Sequence, residues 1–170
     1  MIKGYFVGEK IVSTSVGAFS LYEKSRFGEK KGKRIEYSGV EALYLVSNGK
    51  MEVVSAGKVI GEDALLRRLK KRDKKIETKF AAFADLRKKG YVVKTALKFG
   101  AEFRIYERGD KPGEAHARWV FYSVKENEQI NWHDFAAKNR VAHSTKKNLL
   151  LGVVDEDGDV TYYEVGWIKV

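Results

Sequence analysis

The sequence predicts an α+β (mixed α/β) fold. A small N-terminal α/β domain, residues 1–75, is followed by a C-terminal α/β domain, residues 76–170, with a central mixed sheet flanked by helices. Three observations carry this expectation. Short stretches of alternating apolar and polar residues occur in both halves. The tract from Gly61 to Gly90 repeats its apolar residues at helical spacing. The charged run RRLKKRDKK, at 67–75, interrupts that tract with no apolar face of its own, which places a domain junction near Lys75.

Taken in order, GYFVGEKIVST and MEVVSAGKVIG alternate around a glycine as hairpins do, and the rest of the first 60 residues reads as short strands and turns. Between them YSGVEALYLVSNGK is a short helix, with Ser38 as its cap and Gly49 beyond its end. Leu65, Leu66 and Leu69, then Ile76, Phe80, Phe83 and Leu86, give the Gly61–Gly90 tract its period, as one long helix or two. YVVKTALKFGAEFRIYERG is a β pair with Phe99, Phe103 and Ile105 available for burial, and ARWVFYSVKE is another strand. INWHDFAAKNRVAHSTKK is a helix, and NLLLGVVDEDGDVTYYEVGWIKV closes the chain as a hairpin.

Composition narrows the chemistry. At 44% hydrophobic residues the chain can bury a core. No apolar run approaches the roughly 20 residues of a membrane span, and MIKGYFVGEK lacks the apolar stretch of a secretory signal, so a cytoplasmic location is expected. The absence of cysteine excludes thiolate catalysis and cysteine-ligated metals. A net charge of +10 favours polyanionic partners, although a charge-rich surface also suits a heat-adapted protein. Among three histidines, His133 and His143 lie ten residues apart on or near a helix, not at the spacing of a helical metal-ligand pair.

Three separated elements point to one chemistry. Tyr106 closes a strand; His116 follows ten residues later, beyond Gly109, Pro112 and Gly113; Ser144-Thr145-Lys146-Lys147 ends a helix. Together with FADLRKKGYVVKTALKFGAEFRIY and RVAHSTKKNLLLGVVDEDGDVTYYEV they make the second half, about 90 residues from Phe80 onward, resemble the catalytic domain of the archaeal tRNA-splicing endonuclease family. The resemblance implies a tyrosine, histidine and lysine active site at Tyr106, His116 and Lys147. Lys146 is the competing lysine. Lys147 takes the fourth place of the family's S-V-R-K motif, here with Thr145 for Val.

Such a site, with no metal and no cofactor, cleaves RNA by letting the neighbouring 2′-oxygen attack phosphorus, leaving a 2′,3′-cyclic phosphate and a 5′-hydroxyl. One group takes the 2′-proton, one protonates the departing oxygen, and one stabilises the phosphorane charge. A phenol is a poor base near neutrality unless cations favour its phenolate, and an imidazole changes charge between about pH 5 and 8. These properties give the three tasks to Tyr106, His116 and Lys147 respectively.

The resemblance also implies a precursor tRNA substrate cut at bulge-helix-bulge junctions. Arg140 is then one jaw of a cation–π grip on a bulged base, and Tyr162 or Trp167 the second. It further implies a homotetramer, a dimer of dimers, of the single-chain type. The apolar C-terminal strand Tyr163–Val170 and the acidic loop Asp155–Asp159 are its expected contacts. Asp157-Gly158 at that loop's tip also suits a type I′ turn. A non-catalytic, RNA-holding subunit of the same fold is the second reading. A metal-dependent DNA nuclease finds only Glu29 and Lys31, in a loop-like GEKKGK, to build on.

Overall fold

The computed structural model describes all residues, Met1 to Val170. Their contacts divide them into two compact units, Met1–Phe80 and Ala81–Val170.

The first unit runs β1 (Ile2–Val7), β2 (Lys10–Ser13), α1 (Val16–Ser25), β3 (Glu29–Lys31), β4 (Arg34–Tyr37), α2 (Gly39–Ser47), β5 (Met51–Ser55), β6 (Lys58–Ile60) and α3 (Glu62–Lys70). Six strands form one sheet in the order β3-β4-β2-β1-β5-β6. β1 and β5 pair in parallel; the other neighbours are antiparallel. The hairpins β1–β2 and β5–β6 lie where alternation places them. Helix α1, by contrast, occupies a stretch that reads as strands and turns, because it buries only Ala18 and has no apolar stripe to announce it. Its signal is a cap: Ser15 accepts from the Ala18 amide at 3.3 Å. GEKKGK is not a loop but most of the β3–β4 hairpin, with Glu29 and Lys31 paired at 3.7 Å.

Ser38 caps α2 as expected and does more. Its Oγ accepts from the Glu41 amide at 3.3 Å while Glu41 Oε2 accepts from the Ser38 amide at 3.0 Å, a reciprocal capping box. Glu41 is buried, and its other oxygen accepts from the Gly28 amide at 2.8 Å. One carboxylate thus ties the helix start to the turn before β3. The Gly61–Gly90 tract forms two helices, α3 and α4 (Ile76–Lys88). The break falls at Asp73, whose Oδ1 accepts from the Lys75 amide at 2.9 Å and whose Oδ2 pairs with Lys79 at 2.7 Å.

The second unit takes the end of α4, then β7 (Val92–Thr95), a 3-10 turn (Leu97–Phe99), β8 (Phe103–Tyr106), β9 (Trp119–Lys125), α5 (Trp132–Ser144), β10 (Asn148–Val154) and β11 (Val160–Val165). The sheet order is β11-β10-β9-β8-β7, with β9 and β10 parallel across the α5 crossover and the other pairs antiparallel. Each face has its own core. On one, Phe83 of α4 meets Phe103, which stacks on Phe121, which in turn meets Tyr162. Gly152 belongs to this layer by necessity, since a Cβ there would stand 2.5 Å from the Phe121 ring. On the other, Val120, Tyr122, Leu149 and Leu151 pack with Ala142 of α5.

At the β10–β11 tip, Asp155 Oδ1 accepts from the amides of Asp157 and Asp159, and Asp155 O accepts from Gly158 N at 3.2 Å. Only Gly158 is left-handed there, at φ 85°. A type I′ turn needs two positive φ values, so the acidic side chain of Asp155 organises a different turn.

Two measurements test these contacts. Ser38→Ala removes a cap and is expected to cost about 1 kcal/mol. Glu41→Ala leaves two amides without their acceptor and is expected to cost about 2–4 kcal/mol. Urea unfolding reads both, and in Glu41→Ala alone the Gly28 amide loses its hydrogen-exchange protection. Burial also raises the phenols of Tyr37, Tyr106, Tyr122 and Tyr162 above their ordinary value, with the Asp85 bond adding to the effect at Tyr162. The unfolded chain therefore releases these protons first, so stability should be level up to about pH 10 and fall above it. Tyrosinate absorbance should rise together with unfolding, and Tyr162→Phe should flatten the fall.

Candidate active site

Strand alternation decides which side chains of β8 meet. Phe103 and Ile105 go to the α4 face; Arg104 and Tyr106 go to the face of Val120, the residue that pairs with Arg104 across β8–β9. Tyr106 is 4% exposed, and burial pushes its phenol up while the nearby Arg104 charge opposes the rise.

The segment 107–118 leaves Tyr106 and returns to the same strand. Asp110 N donates to Glu107 O at 3.1 Å, and Glu114 N and Ala115 N both donate to Lys111 O at 3.0 Å. Gly109 and Gly113 take φ of 91° and 90°, which the two tight bends require. Arg118 N then donates to Ile105 O at 2.9 Å, and the Arg118 guanidinium pairs with Glu107. His116, exposed, is carried back beside the strand that holds Tyr106.

Lys147 is placed by the end of α5. Lys146 N donates to His143 O at 3.0 Å and Lys147 N to Ala142 O at 2.9 Å, the paired bonds of a Schellman motif. Lys146 occupies its left-handed position at φ 55°, where glycine is usual. Half-buried Lys147 then enters β10 with Nζ donating to Thr145 O at 3.0 Å and lying 5.6 Å from the centre of the Phe99 ring. The ammonium sits at the C-terminal end of α5, the negative end of the helix dipole.

Tyr106, His116 and Lys147 line one cavity of about 310 Å³, with Phe99, Arg104, Gly113, Glu114, Ala115 and Ala117. A phenol, an imidazole and an ammonium from three segments therefore face one volume. With Arg104 added, two cations, Arg104 and Lys147, face one carboxylate, Glu114, so the cavity suits an anion. Lys146 does not line it, and its fixed role is in the backbone turn. Nor do Arg140, Tyr162 or Trp167 line it. Arg140 is exposed on α5. Tyr162 donates to Asp85 at 2.7 Å and lies 5.0 Å beneath Lys89. Trp167 packs on His143, ring centres 4.2 Å apart. Phe99, available for burial by its sequence, is packed half-buried on the core and also borders the cavity, whereas the sequence pattern does not single out Arg104. The available signal for Arg104 was its place two residues before Tyr106 in a strand, hence on the same face.

Residues 76–162 match the sequence model of the tRNA intron endonuclease catalytic C-terminal domain, and residues 2–66 match that of the same enzyme's N-terminal domain. The chain is 40% identical to a tRNA-splicing endonuclease of Pyrococcus horikoshii, over 99% of this chain and 97% of that protein. It is 35% identical to a tRNA-splicing endonuclease of Methanothermobacter thermautotrophicus over 96% of each. It is 39% identical to one from Nanoarchaeum equitans over 76% of this chain and 87% of that protein. An α+β protein of two units, carrying both domain signatures and matching such enzymes end to end, belongs to the tRNA intron endonuclease family.

Proposed function

We propose that the chain cleaves precursor tRNA at bulge-helix-bulge intron junctions without a metal ion, as a tRNA-intron lyase in the cytoplasm. The 2′-oxygen forms a bond to phosphorus, the bond from phosphorus to the 5′-oxygen breaks, and the products carry a 2′,3′-cyclic phosphate and a 5′-hydroxyl. The observation that carries this reading is the shared cavity of Tyr106, His116 and Lys147. Tyr106 engages the 2′-hydroxyl, His116 gives its proton to the departing 5′-oxygen, and Lys147 stabilises the phosphorane. The exposure of His116 fits a general acid that must meet a bulky substrate and recover its proton from water. We assign the catalytic domain to 76–170 and the N-terminal domain to 1–75.

Arg140 reads as the arginine that grips a bulged base, being exposed and on the helix that delivers Lys147. The second jaw is better sought at Trp167, half exposed, than at Tyr162, whose hydroxyl is committed to Asp85. Two cleavage sites at fixed spacing call for two active sites at fixed spacing, which we assign to a homotetramer formed as a dimer of dimers. The C-terminal segment Tyr163–Val170, expected to be one strand, is strand only to Val165; it supports this reading, since Tyr163 in the edge strand β11 and Trp167 and Ile168 after it are 55%, 52% and 81% exposed. The acidic loop Asp155–Asp159 offers the second contact, to a basic surface of a neighbour.

Purified protein given a bulge-helix-bulge RNA in EDTA should release 2′,3′-cyclic phosphate ends; 3′-hydroxyl ends would contradict the mechanism. His116→Ala and Lys147→Ala should each lose at least about 10²-fold in kcat. Lys146→Gly should keep activity and gain up to about 1 kcal/mol in stability, because it relieves a left-handed lysine. Replacing Asp155, Asp157 and Asp159 by asparagine should shift the mass seen by analytical ultracentrifugation from tetramer toward dimer while leaving each unit folded. An unchanged tetramer would remove the loop from the assembly.

A further inference from the structure

The cavity holds a second cation that the cleavage reading leaves without a task. Arg104 lies two residues before Tyr106 in β8, on the same face, and lines the same cavity. Its Nε is buried with no hydrogen-bond partner. A buried donor left unmade costs about 1–3 kcal/mol, and more on a charged group, so such a donor in a native fold calls for an explanation. Across the β7–β8 ladder Arg104 stands opposite Lys94, itself 5% exposed. The fold thus leaves a donor unmade on the strand residue that lines the cavity beside Tyr106.

The geometry suits phosphate in particular. A guanidinium is a planar fork of donors matched to phosphate oxygens, whereas an ammonium acts as a point charge. Lys147 already spends one donor on Thr145 O. A phosphorane spreads its extra charge over two non-bridging oxygens, and one lysine serves them incompletely.

We propose that Arg104 is a further catalytic residue, whose guanidinium contacts a non-bridging oxygen of the scissile phosphate and stabilises the phosphorane together with Lys147. This rests on the cleavage reading above. Arg104 transfers no proton and keeps its charge throughout. Its closeness to Tyr106, whose phenol it draws downward against burial, agrees with a guanidinium that reaches the reacting atoms.

The test uses the full-length protein, bulge-helix-bulge RNA and EDTA. Arg104→Met should lower kcat about 10²–10³-fold with KM changed by less than about threefold, and Arg104→Lys should recover part of the loss. The decisive readout is a cycle of two enzymes and two substrates, in which one non-bridging oxygen of the scissile phosphate is replaced by sulfur in a single diastereomer. For one diastereomer the sulfur penalty seen with the wild type should disappear in Arg104→Met; a merely structural arginine would leave it unchanged. Should Arg104→Met not fold, Arg104→Gln takes its place in the cycle, and failure of both to fold would assign Arg104 to the scaffold and overturn the proposal. Wild-type cleavage with an inactive His116→Ala, beside full activity in Arg104→Met, overturns this proposal alone. No cleavage by the wild type overturns the reading beneath it.

Discussion

The four residues of β8 set the terms for everything around them. Phe103 is held between Phe83 and Phe121, with Tyr162 beyond, and Ile105 is fully buried on the same face. Because successive side chains leave a strand on opposite faces, fixing those two residues fixes Arg104 and Tyr106 on the other. A slip of one residue would send the aromatic residue into the cavity and the phenol into the core. The other catalytic candidates inherit that register. The His116 loop departs from Tyr106 and is tied back to Ile105 O through Arg118 N. Lys147 immediately precedes β10, which lies in parallel beside β9, the neighbour of β8.

The lysine is positioned by an unusual use of a common helix end. A Schellman motif turns the chain sharply out of α5, and glycine normally supplies its left-handed residue; here Lys146 does. A left-handed lysine costs roughly 1–2 kcal/mol, yet the turn is what delivers the next residue to the cavity. Strain of this kind beside a reactive group is common where the surrounding structure over-determines the backbone. It also accounts for why two adjacent lysines have different fates, one spent on the backbone turn and one lining the cavity.

Much of this was legible from residue order alone. Alternation exposed the hairpins and the β7–β8 pair, Ser38 exposed α2, and the helical period with its charged interruption exposed α3 and α4. The Tyr106, His116 and Lys147 set could be named through the resemblance to the archaeal tRNA-splicing endonuclease family, carried by a strand-end tyrosine, a histidine ten residues on and Ser144-Thr145-Lys146-Lys147 at a helix end. What stayed hidden has physical causes. Helix α1 buries a single alanine, so it has no stripe to detect. The β3–β4 hairpin is built from lysine, glutamate and glycine, and its pairing comes from the sheet rather than from propensity. Phe99 packs half-buried on the core as its sequence suggests, but that it also closes a 3-10 turn and borders the cavity has no local signal. The commitment of Tyr162 to Asp85 spans 77 positions, which no local pattern reveals.

Burial and base catalysis pull Tyr106 in opposite directions. A phenol 4% exposed keeps its proton more tightly than one in water, and Arg104 offsets only part of that. Arg104 favours a phenolate, but a phosphodiester beside it brings its own negative charge and weakens that support at the moment the 2′-proton must leave. A preformed phenolate is therefore the wrong picture of the ground state. The neutral phenol can hold the 2′-hydroxyl in line with phosphorus. Proton release is then tied to the passage of charge onto the phosphorane oxygens, where the cations act most strongly. On this account the fold buries Tyr106 for orientation and leaves acidity to be settled in the transition state. That is why the cations around it matter as much as the phenol itself.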